Sequence, residues 1–368
     1  MSKSEKLSLF SVGLCVLLSA CQAPTEQFTI DANLTGVADS SQFFLKSLAT
    51  GDLVDTSLLL NGQLHFRGTL GGPQAFNLYT IEKGTDRFLY TFLFLGNEAI
   101  QFEADQADFP WNIDVHGSPH HDIAEQFHQV NHQEAELIKL LREDYQEASK
   151  ESLQEAISKL VDSLDYVKRN VLKENFNSHA GLFFYKYHKN DFSRKELPEL
   201  YEKLSPKFQQ TFEGHALKTQ IEFPPPAVGD AYYDYAGLDQ HGDTTSLSSI
   251  DDKFILIHIS SDGCPYSVTS IPELKALYTS EQDQLEIVEI STDTNQEQWA
   301  AAIQEDSIGW TNLFDIRGNY NDAVTKYGTI GTPNYILISP DKMVLAKWFG
   351  YKGDGDITEK VALIDPSR

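Results

Sequence analysis

The chain has 368 residues, with 29 Lys and Arg against 54 Asp and Glu, for a formal net charge of −25. So acidic a surface repels nucleic acid and anionic headgroups, and no stretch forms a basic groove, so a nucleic-acid partner is excluded. With 22 Phe and 16 Tyr, the chain is long and apolar enough for two or three packed units.

The amino-terminal stretch "MSKSEKLSLFSVGLCVLLSACQAPTEQ" opens with Lys3 and Lys6, followed by an apolar run from Leu7 to Leu18. That run is too short to span a bilayer as a stable helix, and residues 1–20 are expected to be a secretory signal. "LLSAC" (Leu17 to Cys21) resembles a bacterial lipobox. The resemblance implies cleavage before Cys21, lipid on its sulfur and a short tether over 21–25. An ordinary signal peptide with an incidental cysteine is the alternative. Gln22, in place of Asp, implies the outer membrane under the common sorting rule, with the periplasmic side expected. No other apolar stretch is long enough to cross a membrane, so the chain is expected to be tethered rather than spanning. The mature chain would then carry 27 basic and 53 acidic residues. Cys15 leaves with the signal and Cys21 is used by lipid, which leaves Cys264 without a partner for an internal disulfide.

From 26 to 118 the sequence predicts an antiparallel β-sandwich. "FTIDANL", "QFFLKSL", "LVDTSLLL", "GQLHFRGTL", "AFNLYTI" and "FLYTFLFLG" alternate or run apolar between Gly, Asp and Asn. Asn61-Gly62 is a two-residue hairpin signal, since both positions tolerate positive φ. "DTSLLLNGQLHFRG" (Asp55 to Gly68) and "VHGS" (Val115 to Ser118) resemble the β-domain found ahead of thioredoxin-like modules in bacterial envelope lipoproteins. That resemblance implies architecture and no chemistry.

Helical spacing takes over from 119 to 222. Phe127, Val130, Leu137, Leu141 and Tyr145 mark one helix, and Leu153, Ile157, Leu160, Leu164, Val167 and Val171 a second. Shorter helices are expected over 179–189 and 196–220. His121, Glu125, His128 and His132 fall near one helix face, with His116 and His120 close by, and histidines four apart can share a metal. No acidic base is placed as in a metalloprotease, so these histidines read as structural or surface groups and no metal or cofactor is expected. "FPPPAVGD" (Phe223 to Asp230) breaks the pattern and marks a linker at 223–230.

The remaining unit, 231–368, alternates strand and helix. "FILIHIS" (Phe254 to Ser260), "LEIVEIST" and "NYILIS" read as strands, with helices after the first two and at "NDAVTKYG". "MVLAKWFG" is a hairpin partner across Pro340-Asp341-Lys342. The expected fold is α/β with a central mixed sheet. Cys264 ends a strand and opens a helix, where free backbone N–H groups and the helix dipole favour a thiolate. Pro265 suits the first helical turn, and Ser267, one turn on, can donate a hydrogen bond to the sulfur.

Over about 140 residues this unit resembles the TlpA/ResA-type thioredoxin-like envelope oxidoreductases. Cys264-Pro265-Tyr266-Ser267 stands where the family carries Cys-x-x-Cys, and Pro272 matches its helix-kinking proline. "YGTIGTPNYILIS" (Tyr327 to Ser339) matches its cis-proline segment. The resemblance implies a thioredoxin-like fold, a cis bond between Thr332 and Pro333, and partner contacts at Pro265, Tyr266, Thr332 and Pro333. Two departures stand out. Ser267 replaces the resolving cysteine, so a mixed disulfide needs an external thiol for release. Gly263 replaces the family's tryptophan and opens the mouth of the site. His258, six residues before Cys264, stands where relatives bury a proton-relaying acid, but on a buried strand it reads first as a packed, hydrogen-bonded core histidine.

Three functions remain open on these residues. A monothiol exchanger would use Cys264 as nucleophile on a disulfide or thiol protein of the envelope. A binding or scaffold lipoprotein would use the same surface without chemistry. A one-cysteine peroxidase would use Ser261 beside the thiol, but it has Ile257 where a proline is usual and no evident arginine.

Overall fold

The computed structural model describes residues 27–144 and 150–362. The expected signal segment, the expected lipid site Cys21 with its tether, and Tyr145 lie outside the described residues.

The first unit is built from β1 (Phe28–Thr35), β2 (Gln42–Ser47), β3 (Leu53–Leu58), β4 (Gln63–Gly68), β5 (Gln74–Ile81), β6 (Phe88–Leu95), β7 (Ala99–Asp105) and β8 (Asp114–His116). They form two four-stranded sheets, ordered β4-β1-β7-β8 and β3-β2-β5-β6. Alternation in β1 buries Phe28, Ile30, Ala32 and Leu34, which share one core with Phe43, Leu45, Phe76 and Leu93 of the other sheet. One pairing departs from the antiparallel expectation: β1 and β7 run parallel. The chain between them passes through the whole second sheet, and such a long crossover is what a parallel pair requires. Asn61 and Gly62 both take positive φ, 52° and 75°, and close a turn on the Leu60–Gln63 bridge. The expected hairpin ends at that single rung. β3 pairs with β2 and β4 with β1, so the turn joins two sheets.

The helical unit contains α1 (Pro119–Asp144), α2 (Lys150–Asn175), α3 (His179–His188), α4 (Leu197–Lys203), α5 (Pro206–Gln209) and α6 (Phe212–Glu222). The short-helix region expected over 196–220 holds three helices, α4, α5 and α6. Pro206 holds Ser205 extended (φ −62°, ψ 157°), and Thr211 caps α6 by accepting from the Gly214 N–H at 3.2 Å. Phe92 and Phe94, on the outer face of β6, pack under α1 and α3, where Phe127 stacks on Phe184 at 4.1 Å. Helices and sheet therefore share a core.

The third unit holds β9 (Ala236–Asp239), β10 (Thr244–Ser246), β11 (Phe254–Ser260), α7 (Pro265–Glu281), β12 (Leu285–Ser291) and α8 (Gln296–Glu305). It continues through β13 (Thr311–Phe314), α9 (Asp322–Lys326), β14 (Asn334–Ile338), β15 (Val344–Phe349) and α10 (Asp356–Ala362). The sheet order is β10-β9-β13-β12-β11-β14-β15, with β11, β12 and β13 mutually parallel and β14 antiparallel to β11. β11 is covered on both faces. Ile255, Ile257 and Ile259 enter one core and Leu256 the other, which is why it reads as an unbroken apolar run. Residues 223–230 are irregular but pinned, through Gly229 N–H to the Val344 carbonyl at 2.8 Å and Lys347 Nζ to the Pro226 carbonyl at 3.1 Å.

The parallel strands β11, β12 and β13 end in loops on one side of the sheet. Gly318, at φ +52°, brings the third loop against the second, where a Cβ would lie 2.7 Å from Thr294 Cγ2 and 2.8 Å from the Thr292 carbonyl oxygen.

Candidate thiol site

β11 delivers its last residue, Ser260, to a tight turn in which the Cys264 N–H bonds the Ser261 carbonyl at 3.0 Å. Cys264 is the N-cap of α7, with extended φ −99° and ψ 111°, and Pro265 occupies the first helical turn. Pro272 lies inside the helix and leaves the Val268 carbonyl without its usual donor. From the far side of the sheet, the segment before β14 returns to the thiol. The Thr332-Pro333 peptide is cis, and Cys264 Sγ lies 3.2 Å from the Thr332 carbonyl oxygen.

The thiol is half-buried and its pKa is lowered. Burial acts first and pushes it up. The Thr332 hydroxyl, the backbone N–H groups of Ser267 and Tyr266 and the Ser267 hydroxyl outweigh burial by favouring the thiolate. Ser267 Oγ is buried and has no other hydrogen-bond partner of good geometry among the described residues. A charged sulfur is the acceptor that its proton can serve. Around the sulfur the surface is apolar and open: Tyr266 is 64% exposed, Ile330 59% and Phe349 51%, with Phe349 packed against Gly331.

Behind the loop stands a set of acids that the sequence reading did not single out. Glu289, on β12, is buried and accepts from the Ser260 hydroxyl and from Trp310 Nε1 at 3.2 Å. His258, fully buried on β11, approaches Glu289 Oε2 at 3.6 Å and stacks on Tyr335 at 5.0 Å. Burial pushes the Glu289 carboxyl up, but His258, Ser260 and Trp310 more than offset it and hold the pKa below the ordinary value. Asp262, two residues before the thiol, is pushed up to about 7, by desolvation first and then by the charges of Asp293, Glu289 and Asp306. Part of Asp262 reaches solvent, so the crowding of its carboxyl by those three acids is the firmer cause. A cavity of about 20 Å³, room for about one water, is lined by Asp262, Ser267, Glu289 and Asp306.

Cys264, Ser267, Thr332 and Pro333 thus converge, with Pro265 and Tyr266 on the rim. None of the hydrogen bonds or ion pairs of His258 reaches Cys264, and its connection to the loop runs through Glu289 and Ser260. Ser261 donates to Asp293 Oδ1 at 2.8 Å rather than to the sulfur. The second acid in "LEIVEIST" was the available signal for Glu289, since a carboxylate inside a mostly apolar buried strand needs partners.

The histidines of α1 are individually engaged. His121 Nδ1 accepts from the Phe94 N–H at 3.2 Å, His128 Nδ1 lies 3.2 Å from Glu125, and His132 stacks on Trp111 at 5.2 Å. Among the described residues, no group of three or more His, Cys, Asp or Glu is placed to hold a metal.

Residues 228–347 match the model of the AhpC/TSA family. The thioredoxin domain of a thiol-disulfide oxidoreductase from Bacteroides vulgatus is 26% identical, covering 38% of this chain and 99% of that one, with a TM-score of 0.35. A thiol:disulfide interchange protein from a Bacteroides species is 27% identical, over 39% of this chain and 94% of that one, with a TM-score of 0.35. A thiol-disulfide oxidoreductase from Bacteroides fragilis is 22% identical, over 36% and 99%, with a TM-score of 0.33. No curated protein matches the chain.

Proposed function

We propose that the carboxy-terminal unit performs thiol–disulfide exchange with a single sulfur. The observation that carries this reading is the placement of Cys264 Sγ, at the opening of α7 and 3.2 Å from the Thr332 carbonyl, with its pKa lowered. In the first step the Cys264 thiolate attacks one sulfur of a partner disulfide R–S–S–R′. A Cys264–S–S–R mixed disulfide forms and R′–S⁻ leaves. In the second step an external thiolate R″–S⁻ attacks the R sulfur, giving R–S–S–R″ and returning Cys264 as thiolate. The electrons come from the external thiol, and the chain ends as it began.

Ser267 supports the thiolate each time Cys264 carries the charge. Pro265, Tyr266, Thr332 and Pro333 receive the partner, whose extended chain pairs with the backbone of Thr332 and covers the apolar rim. His258 and Glu289 form a buried pair that exchanges protons with the loop through Ser260 and the small acidic cavity. The partner is a disulfide-bearing or thiol protein, and the step uses no cofactor. Cys21 anchors the chain by lipid to the cell envelope, on the periplasmic face of the outer membrane, with 26–118, 119–222 and 231–368 as its units.

A second reading is a redox-inactive binding module. The buried Ser267 hydroxyl in place of a second sulfur and the exposed Tyr266, Ile330 and Phe349 favour it. Reduction of a protein disulfide in the presence of a low-molecular-weight monothiol separates the two. Exchange predicts acceleration by the wild type and none by Cys264→Ser. A binding module predicts no acceleration by either, and partner retention by both.

A further inference from the structure

A cavity of about 640 Å³ lies where the three units meet. Its floor is made by the loops after β11, β12 and β13, including Asp262, Gly263 and Thr294. The helical unit supplies Leu182, Phe183 and Phe212, and the sheet unit supplies Phe94 and the Leu48–Gly51 turn. Open α/β sheets take ligands outside the carboxyl ends of their parallel strands, and this volume is that of a small-molecule pocket. Phe94, Leu182, Phe183 and Phe212 make an apolar wall, and the loops of the floor are mostly polar.

Charge narrows the choice of ligand. Arg317 is occupied: Nε bonds Asp315 Oδ1 at 3.0 Å, Nη2 bonds Asp315 Oδ2 at 2.6 Å, and Nη1 bonds Asp322 at 3.0 Å. Asp293 is occupied as well, accepting from the Ser261 and Ser291 hydroxyls and from the Asp262 N–H. Lys186 differs. It stands half-buried on the cavity wall with Nζ 5.5 Å from the centre of the Tyr187 ring, and among the described residues it has no carboxylate at ion-pair distance. Its amine is held below the usual lysine range by desolvation, with Glu213 opposing in part. A desolvated ammonium without a carboxylate at ion-pair distance is under-compensated, and an anion from outside would supply the missing charge. Glu213 and Asp262 line the same cavity and repel further negative charge, so a single charge is preferred over two.

We propose that this cavity binds a small amphipathic monoanion, its apolar or aromatic body against Phe94, Leu182, Phe183 and Phe212 and its acid group on Lys186. The reading does not depend on the redox state of Cys264.

The probes are 1-anilinonaphthalene-8-sulfonate and N-phenyl-1-naphthylamine, its counterpart without the sulfonate, titrated onto the full chain by fluorescence. One dye binds per chain, the anionic one more tightly. Lys186→Met weakens the anionic dye by about fivefold, the size of a partly screened ion pair, and leaves the neutral dye unchanged. Ala49→Trp, on the exposed rim, weakens both dyes. Circular dichroism and melting temperatures matching the wild type establish that both variants fold. Failure of both dyes to bind the wild type overturns the proposal. So does equal weakening of the two dyes by Lys186→Met, or wild-type binding of the anionic dye by both variants.

Discussion

Cys264 Sγ meets the carbonyl oxygen of Thr332 at 3.2 Å across 68 positions of sequence. A thiol that donates to a carbonyl is poised rather than charged, and the groups that favour charge are the Thr332 hydroxyl and, from the first turn of α7, the Ser267 and Tyr266 N–H groups and the Ser267 hydroxyl. The sulfur sits between an acceptor that holds its proton and donors that reward its loss. A partner segment lying along Thr332 would shift that balance.

The lowered thiol pKa predicts alkylation at neutral pH. The rate of Cys264 modification by iodoacetamide should rise with pH to a midpoint below that of an ordinary cysteine. Ser267→Ala removes one donor to the thiolate and should move the midpoint upward. At pH 7 the rate should fall by about threefold to tenfold, the range expected for loss of one ordinary intramolecular hydrogen bond. An unchanged profile would remove Ser267 from the site.

Ser267→Cys should convert the single-sulfur site into a dithiol. The hydroxyl is buried one turn below Cys264 on the helix, where a second thiolate can attack a mixed disulfide at Cys264. The variant should then release a trapped partner without added thiol, while the wild type holds it. Mass spectrometry of the oxidised variant should show the loss of two hydrogens, and its absence would mean that the two positions cannot be joined.

Asp262 gives stability an unusual pH dependence. Its carboxyl is raised from an ordinary 3.8 to about 7 in the folded chain. Its contribution is therefore fully present below pH 3.8 and is lost as pH rises through 7. Asp262→Asn should melt higher than the wild type at pH 8.5, and the difference should shrink as the pH is lowered toward 5. Thermal melts at both pH values measure this, and a difference of the opposite sign would refute the crowding by Asp293, Glu289 and Asp306.

Glu289 acts in the opposite sense. Its folded pKa lies below the ordinary 4.5, so its contribution is present above pH 4.5 and lost as pH falls through the folded value. Glu289→Ala leaves the Trp310 indole N–H and the Ser260 hydroxyl without their acceptor and should cost about 2–3 kcal/mol in denaturant unfolding at pH 7. The gap between variant and wild type should narrow in acid.

Much of the third unit was legible because its chemistry is local. "FILIHIS" is a two-face buried strand and reads as one. The cysteine caps the helix that holds its following proline and Pro272, and Thr332-Pro333 carried its own signature. β13, only four residues of "TNLF", was too short to announce itself. β7 and β8 sit in "AIQFEAD" and "DVH", where charged outward positions dilute the pattern. The division of 196–220 into three helices follows Pro206, which opens α5, and the Thr211 cap of α6. Glu289 left a signal as a carboxylate in a buried strand, but neither its meeting with the other acids behind the thiol nor the Lys186 cavity could be read from the chain. Asp262, Glu289 and Asp306 meet only after β12 is ordered between β11 and β13, and the cavity only after three units pack.

Mixed-disulfide formation at Cys264 is the most direct test of single-sulfur exchange. Wild-type protein and Cys264→Ser, both without added thiol, are mixed with a small disulfide such as oxidised glutathione and followed by intact mass. Exchange predicts one adduct on the wild type, at Cys264, faster at neutral pH than an ordinary cysteine allows, stable alone and released by an added monothiol. No adduct on the wild type, or an adduct that forms only at the rate of an ordinary thiol, would contradict it and leave the binding module standing.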